Sequence, residues 1–170
     1  MTATHFSGPV VSTAGFSTDD VNLTATYGYA SNIATAANTY NFYSSGTAPN
    51  YFSGSVLIFG DGTLGYTTGS GGAVTQASSR TTGVTLDKTN GSITLVSAAG
   101  STTAATFTVT NATVAATDVI VLSQKSGTDL YRLAVTAVAA GSFDITFNTI
   151  SGTTTEQPVF NFAVIKAVAA

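Results

Sequence analysis

Residues 131–147, YRLAVTAVAAGSFDITF, are the strongest indication of the fold. In this stretch large apolar side chains occupy alternate positions on both sides of a glycine-containing segment. Strict alternation is typical of a strand with one buried and one exposed face. Two such strands around residues 139–141 predict an antiparallel hairpin. The alternating large residues are Tyr131, Leu133, Val135, Phe143, Ile145 and Phe147.

The same kind of pattern continues outward from this hairpin. Short runs rich in Thr, Val, Phe and Tyr are separated by Gly, Asn and Ser, which predicts many short strands and almost no helix. We expect strands over residues 105–111, with Phe107 and Val109 inward, over residues 118–123, and over residues 159–167. Roughly seven or eight strands in the second half of the chain predict an all-β domain, an antiparallel β-sandwich or jelly roll.

A second hairpin is expected around residues 87–91, DKTNG. Asn-Gly adopts positive φ at little cost and is common in tight hairpin turns. Val84 and Leu86 would then lie opposite Ile93 and Leu95.

The first half of the chain differs, because Tyr and Asn are frequent there and Gly and Pro interrupt the alternation. It predicts an extended, irregular arm with one strand at residues 56–59 and one or two helical turns within residues 31–38. Residues 69–72, GSGG, have the composition of a flexible linker. We therefore divide the chain into residues 1–70, an arm and small β region for attachment to other subunits, and residues 71–170, the C-terminal β-sandwich domain.

Charged side chains make up only 8% of the chain, with a formal net charge of −3, against about 25% charged residues in ordinary soluble domains. Such a surface repels copies of itself weakly, which favours close packing against other subunits. The five Lys and Arg residues are scattered. They cannot form the cationic surface that phosphate binding needs, so no nucleic-acid partner is expected.

No membrane partner is expected either. The chain begins without the basic and apolar stretch of a secretory signal. Its most apolar tract, residues 159–170, is too short to span a bilayer and includes Asn161 and Lys166. This tract predicts a buried terminal strand.

Residues suited to catalysis are sparse. The single histidine, His5, lies near the N terminus, which argues against a Ser-His-acid triad. Asp19 and Asp20 would point to opposite sides of an extended segment. Glu156 is the one glutamate, and no carboxylate pair for glycoside hydrolysis is apparent. We predict that the protein is not an enzyme and has no catalytic residue and no cofactor.

No metal site is predicted. Asp118, Asp129 and Asp144 are candidate calcium ligands, but their spacing matches no known calcium loop. With no cysteine in the chain, thiolate sites and disulfides are excluded. The alternative role for the three carboxylates is to cap turns or to pair with Arg132, since Arg132 and Asp144 both fall on the polar face of the predicted hairpin.

Aromatic side chains are concentrated in the first half of the chain. Tyr is favoured both at protein interfaces and on sugar-binding surfaces. A glycan platform normally also needs clustered carboxylates, amides or Arg, which apart from asparagines are few in this region, so packing against protein is favoured. The predicted partner-binding residues are His5, Phe6, Pro9, Phe16, Tyr27, Tyr29, Tyr40, Phe42, Tyr43, Tyr51 and Phe52.

Several segments resemble structural proteins of tailed bacteriophages. Residues 4–12 (THFSGPVVS), 72–88 (GAVTQASSRTTGVTLDK) and 161–167 (NFAVIKA) resemble proteins of the head-fibre and capsid decoration (cement) type. Residues 46–56 (GTAPNYFSGSV) resemble linking motifs of phage fibre and spike proteins. The similarity covers most of the second half of the chain and short parts of the first.

The resemblance implies a virion protein on the outer surface of the capsid, whose partners are the major capsid protein and, in a homotrimer, other copies of itself. N-terminal arms would contact the capsid or each other, and the C-terminal domain would face outward. The long Gly-Asn-Val-Thr repeats of many relatives are missing, which favours a compact knob over a fibre shaft. Two functions stay open, a capsid decoration protein and a trimeric tail-fibre or spike tip that binds a host-surface glycan.

Overall fold

The computed structural model describes residues 56, 58, 64–66 and 69–167. This part of the chain is all-β, with ten strands and no helix, as the alternation of side chains predicted. The strands are β1 (Gly71–Thr75), β2 (Val84–Thr85), β3 (Asn90–Thr94), β4 (Ala98–Ala99), β5 (Ala105–Thr110), β6 (Val119–Ser126), β7 (Tyr131–Ala139), β8 (Ser142–Thr149), β9 (Thr155–Glu156) and β10 (Val159–Ile165).

Eight of these strands form two four-stranded sheets. Sheet A has the order β1-β3-β10-β6 and sheet B the order β2-β5-β8-β7, while β4 and β9 pair separately. Both larger sheets are mixed, because β1 runs parallel to β3 and β2 runs parallel to β5. The expected purely antiparallel arrangement is therefore wrong at one edge of each sheet. The chain leaves sheet A for β2 before returning as β3, and such a crossover permits parallel pairing, which a tight hairpin does not.

The hairpin of residues 131–147 is confirmed. Strands β7 and β8 pair antiparallel from Tyr131 opposite Thr149 to Ala139 opposite Ser142. Gly141 in the turn has φ +82°, a left-handed conformation that glycine adopts without steric cost. A bulge between Val135 and Ala137 shifts the register within β7.

The strands predicted at residues 105–111 and 159–167 are also confirmed, as β5 and β10. Phe107 and Val109 are buried on β5 as expected. Strand β10 lies in the middle of sheet A, between β3 and β6. The strand predicted at residues 118–123 is β6, which lies at an edge of sheet A and continues to Ser126.

The second hairpin prediction is wrong. Strand β2 belongs to sheet B and β3 to sheet A, so Val84 lies opposite Val109 of β5 and not opposite β3. Asn90 and Gly91 begin β3 and form no turn. Gly91 serves packing here, since a Cβ at this position would come within 2.7 Å of the Leu86 side chain.

The predicted linker and the predicted strand near residue 58 also differ from the structure. Gly71 and Gly72 begin β1 and pair with Asn90 and Gly91, so half of the GSGG segment belongs to a sheet. Val56 and Ile58 are exposed and belong to no strand. The remaining residues of 56–59 and the turns within residues 31–38 lie outside the described residues. The domain boundary after residue 70 stays a prediction.

The core joins the two larger sheets through aromatic rings. Phe143 of β8 lies 5.3 Å from Phe162 of β10, measured between ring centroids, and Phe160 of β10 lies 5.6 Å from Phe147 and 5.4 Å from Tyr131. Such tilted and edge-to-face pairs add to the energy of apolar burial. Contacts between the inward faces of β8 and β10 therefore hold the two sheets together, and the opposite face of each sheet points outward.

Candidate interaction surface

All eleven predicted partner-binding residues, from His5 to Phe52, lie outside the described residues. Their role stays a prediction. The surfaces described below belong to residues 56, 58, 64–66 and 69–167.

The outer face of sheet A has a polar half, which forms a shallow groove of about 510 Å³. The strand register places Ser92, Asn161 and Ser123 in one row across β3, β10 and β6. Asn90 lies in the next row, opposite Gly71 of β1. We call this region the polar groove, and define it by Tyr66, Gly71, Asn90, Ser92, Ser123, Lys125 and Asn161.

Only some of the side-chain donors and acceptors in the polar groove have a hydrogen-bond partner among the described residues. The Ser92 hydroxyl donates to Asn161 Oδ1 at 2.9 Å, and Lys125 Nζ donates to Ser92 Oγ at 3.4 Å. Asn90 Nδ2 donates to Ser70 Oγ at 3.2 Å. Among described residues, the Asn161 amide nitrogen, the Asn90 amide oxygen and the Ser123 hydroxyl have no further hydrogen-bond partner. These groups can donate to or accept from a ligand.

Tyr66 forms one wall of the polar groove. Its hydroxyl donates a hydrogen bond to the Val164 carbonyl oxygen, which anchors the side chain beside β10. The residue remains 50% exposed, so part of the ring is open to solvent. The structure thus places an aromatic surface next to amide and hydroxyl groups.

The other half of this sheet face is apolar. Val119 and Val121 of β6 point outward beside Ile165 and Ala163 of β10, because Ile165 pairs with Val119 and Ala163 with Val121. Leu64, 89% exposed, lines an adjoining depression with Ile165 and Tyr66. We call Leu64, Val119, Val121 and Ile165 the apolar patch.

The apolar patch has the character of an interaction site. The three strand residues Val119, Val121 and Ile165 are each 48–54% exposed, and adjacent exposed apolar side chains commonly mark binding surfaces. Strand β6 is also an edge strand, and edge strands offer unpaired backbone groups to partners. Sequence reasoning predicted an apolar strand here, but it did not reveal that the valines face outward.

The outer face of sheet B is covered by hydroxyl groups that bond to one another. Thr146 Oγ1 lies 2.8 Å from both Thr106 Oγ1 and Thr136 Oγ1. The Thr108 hydroxyl donates to Asp144 at 2.7 Å. This face is polar and lacks a counterpart of the apolar patch among its described residues.

The suggested pairing of Asp144 with Arg132 is wrong. The register of β7 and β8 places Arg132 opposite Asn148 and Asp144 opposite Ala137. The offset follows from the position of the turn, which pairs Ala139 with Ser142 and leaves Arg132 several positions further from the turn along β7 than the partner of Asp144.

The other two aspartates hold loops, which agrees with the alternative role, the capping of turns. Asp118 accepts a hydrogen bond from the Ala115 amide at 2.8 Å and pairs with Lys166 at 2.5 Å. The Ala115 hydrogen bond, followed by the one from Lys166, lowers the pKa of Asp118 below its ordinary value. Asp129 accepts from the Thr154 amide at 2.9 Å. The described residues contain no cluster of three acidic or histidine side chains able to hold a metal ion.

Glu156 also has a structural position. Its carboxylate accepts hydrogen bonds from the backbone amides of Thr128 and Asp129, and so it holds the loop between β6 and β7. Desolvation acts to raise the pKa of Glu156, but these hydrogen bonds outweigh it and keep the pKa below its ordinary value. A carboxylate stabilised in its charged form in this way is poorly suited to act as a general acid.

Arg80 forms a hydrogen-bond network that sequence reasoning missed. Its planar guanidinium, with several donors in a fixed geometry, connects the loop after β1 to the β4–β9 pair and to β7. No local sequence pattern indicates this network, because its acceptors come from distant parts of the chain. They are the carbonyl oxygens of Val96 (3.1 Å), Ala98 (2.5 Å), Ala99 (3.3 Å) and Glu156 (2.7 Å) and the hydroxyl of Tyr131 (3.0 Å).

Within the described residues there is no helix long and apolar enough to cross a membrane. Comparison with protein-family models, curated proteins and solved structures finds no match to this chain.

Proposed function

We propose that this chain is a non-enzymatic structural protein of a bacteriophage virion, which decorates the outer surface of the capsid and stabilises the assembled shell. Residues 71–170 would form a β-sandwich from sheets A and B. The proposal is supported by the phage-like segments of the sequence, the low content of charge and the apolar patch on sheet A. The apolar patch is the structural observation on which the proposal chiefly rests.

The apolar patch would contribute useful energy at a subunit interface. Fully burying a valine or isoleucine side chain stabilises by about 1.5–3 kcal/mol. Because Val119, Val121 and Ile165 are already about half buried, covering each one would contribute about 1 kcal/mol. No charged residue occurs from Val119 to Gln124 on β6, and Lys166, which borders Ile165, is already paired with Asp118.

In the proposed assembly the partners are the major capsid protein and two further copies of this chain. Residues 1–70 would attach the trimer to the shell, and the apolar patch would contact a neighbouring subunit. A protein that binds only the assembled shell shifts the assembly equilibrium by mass action. Weak contacts repeated over many symmetry-related positions would add up to strong attachment.

Cryo-electron microscopy of the phage particle whose genome encodes this chain tests its location. Density for a β-domain at regular positions on the capsid is expected. Absence of the protein from the particle would overturn the proposal. Density at the tail tip would instead favour a trimeric tail-fibre or spike tip that binds a host glycan.

A binding assay tests the role of the surfaces. Undecorated capsids are incubated with the purified chain and sedimented, and bound protein is quantified. Val119→Lys should lower occupancy about tenfold, and deletion of residues 1–20 should abolish it. Ala134→Lys, at another exposed strand position, on sheet B, is the matched control and should bind normally. Normal occupancy of both altered proteins would contradict the proposed mode of attachment.

A further inference from the structure

We propose that the polar groove on sheet A binds an oligosaccharide that bears a carboxylate group. This goes beyond capsid attachment, since it concerns what an outward-facing domain binds once it is displayed. The groove and the apolar patch adjoin on the same sheet face and share Val121, but Val119 belongs only to the patch and Lys125 only to the groove, so the two functions can be tested separately.

The size and floor of the polar groove suit an extended, hydroxylated ligand. Its volume of about 510 Å³ lies within the range of about 300–1,000 Å³ typical of small-molecule sites. Gly71 leaves room for the Asn90 carboxamide, because a Cβ at position 71 would overlap Oδ1 of Asn90. Ser92 and Ser123 are also small, so the backbone of the sheet remains close to the ligand.

Among the described residues, the hydrogen-bonding groups of the polar groove that lack a partner include both donors and acceptors. Asn161 offers an amide NH₂, Asn90 an amide oxygen, and Ser123 a hydroxyl that can do either. They lie on neighbouring strands or rows, and adjacent strands are about 4.8 Å apart, a spacing comparable with the length of one sugar residue. The exposed part of the Tyr66 ring can pack against the apolar face of a sugar ring.

The positive charge in the polar groove favours an acidic sugar over a neutral one. Lys125 is the one charged side chain among the described residues that line the polar groove, and no carboxylate lines it there. Its ammonium group has three donors, of which one makes the long hydrogen bond to Ser92. A single ammonium suits one carboxylate per repeat of a saccharide, whereas closely spaced phosphates would need a larger cationic surface.

Calorimetric titration of the full chain tests this proposal with two probes, a hyaluronan tetrasaccharide, which carries carboxylates, and cellotetraose, which is neutral. At low ionic strength the acidic probe should bind at least tenfold more tightly than the neutral one. The difference should shrink in 0.5 M salt, where the Debye length falls to about 4 Å.

Variants identify the site. Lys125→Gln should weaken binding of the acidic probe about tenfold and leave binding of the neutral probe unchanged, whereas Asn161→Ala should weaken binding of both. Arg132→Gln, on the opposite sheet, is the matched charge control and should change neither. Circular dichroism and the urea midpoint of each variant establish that the fold is retained.

The proposal is overturned if neither probe binds, if the two probes bind equally well, or if Lys125→Gln and Arg132→Gln weaken the acidic probe by the same factor. Val119→Lys should retain sugar binding while its occupancy on capsids falls about tenfold. Failure of one function is therefore distinguishable from failure of the other.

Discussion

Replacement of Arg80 by alanine should destabilise the domain strongly, although Arg80 lies in a loop. Its guanidinium donates to four backbone carbonyl groups and to the Tyr131 hydroxyl, and its centre lies 5.8 Å from the Tyr131 ring centroid. Alanine would leave these acceptors without their donor. The β4–β9 pair would lose its connection to the loop that follows β1.

The size of the stability loss follows from the number of acceptors and from the exposure of Arg80. A protein hydrogen bond contributes about 0.5–1.5 kcal/mol net, and bonds to charged groups contribute more. Because Arg80 is partly exposed, water can replace some of the lost bonds, so we use about 0.5–1 kcal/mol for each of the four carbonyl groups. Arg80→Ala should then lower the free energy of unfolding by about 2–4 kcal/mol. Arg80→Lys should lower it by about half as much, because a lysine ammonium cannot reproduce the planar arrangement of donors.

Urea unfolding followed by circular dichroism measures this loss. With a slope of about 1.5 kcal/mol per molar urea, a loss of 3 kcal/mol moves the midpoint by about 2 M. Arg132→Ala is the control, because Arg132 is exposed on β7 and has no hydrogen bond or ion pair with another described residue. If the free energy of unfolding changes by less than 0.5 kcal/mol in Arg80→Ala, or by the same amount in the control, the Arg80 hydrogen bonds do not stabilise the domain as proposed.

Two further predictions concern the core and the charge of Asp118. Phe160→Ala removes a fully buried ring and should cost about 3–5 kcal/mol in urea unfolding; Phe160→Leu should cost clearly less, and equal losses would contradict a packing role. Hydrogen bonds from Ala115 and Lys166 lower the pKa of Asp118, so its contribution is present above the ordinary value of 3.8 and is lost as pH falls through the lower folded-state pKa. Between pH 5 and pH 2, wild-type protein should therefore lose more stability than Asp118→Asn, and parallel urea midpoints of the two proteins would disprove this.

The parts of the fold that sequence predicted correctly depend on local patterns. The hairpin of β7 and β8 was recognisable because two alternating strands are separated by a short, glycine-containing turn. The burial of Phe107 and Val109 on β5 followed from the same alternation. In each case the informative residues lie within a few positions of one another.

The incorrect predictions came from applying local rules to glycines that serve long-range packing. Asn90-Gly91 has the composition of a hairpin turn, and residues 69–72 have that of a linker. In the structure, Gly72 and Gly91 instead make room for the side chain of Leu86, which a Cβ at either position would approach within 2.8 Å. The same composition is compatible with a turn, a linker or a strand, and only the packed structure distinguishes them.

The candidate surfaces were predicted only in part. The sequence indicated a weakly charged protein suited to packing against other subunits, and it indicated that the run at residues 118–123 is apolar. It could not indicate that Val119 and Val121 face outward at a sheet edge, or that Asn90, Asn161 and Lys125 line one groove. Those residues come together only because β3, β10 and β6 are neighbours in sheet A.

Side-chain alternation is a property of the extended backbone, so it was enough to predict the all-β class, the positions of several strands and the inward side of the central ones. The pairing of the strands, the parallel direction of two edge pairs and the set of polar residues that share a surface became known only from the folded structure. These features depend on contacts between residues far apart in the chain, such as Arg80 with Glu156. Local periodicity contains no information about which distant segments will meet.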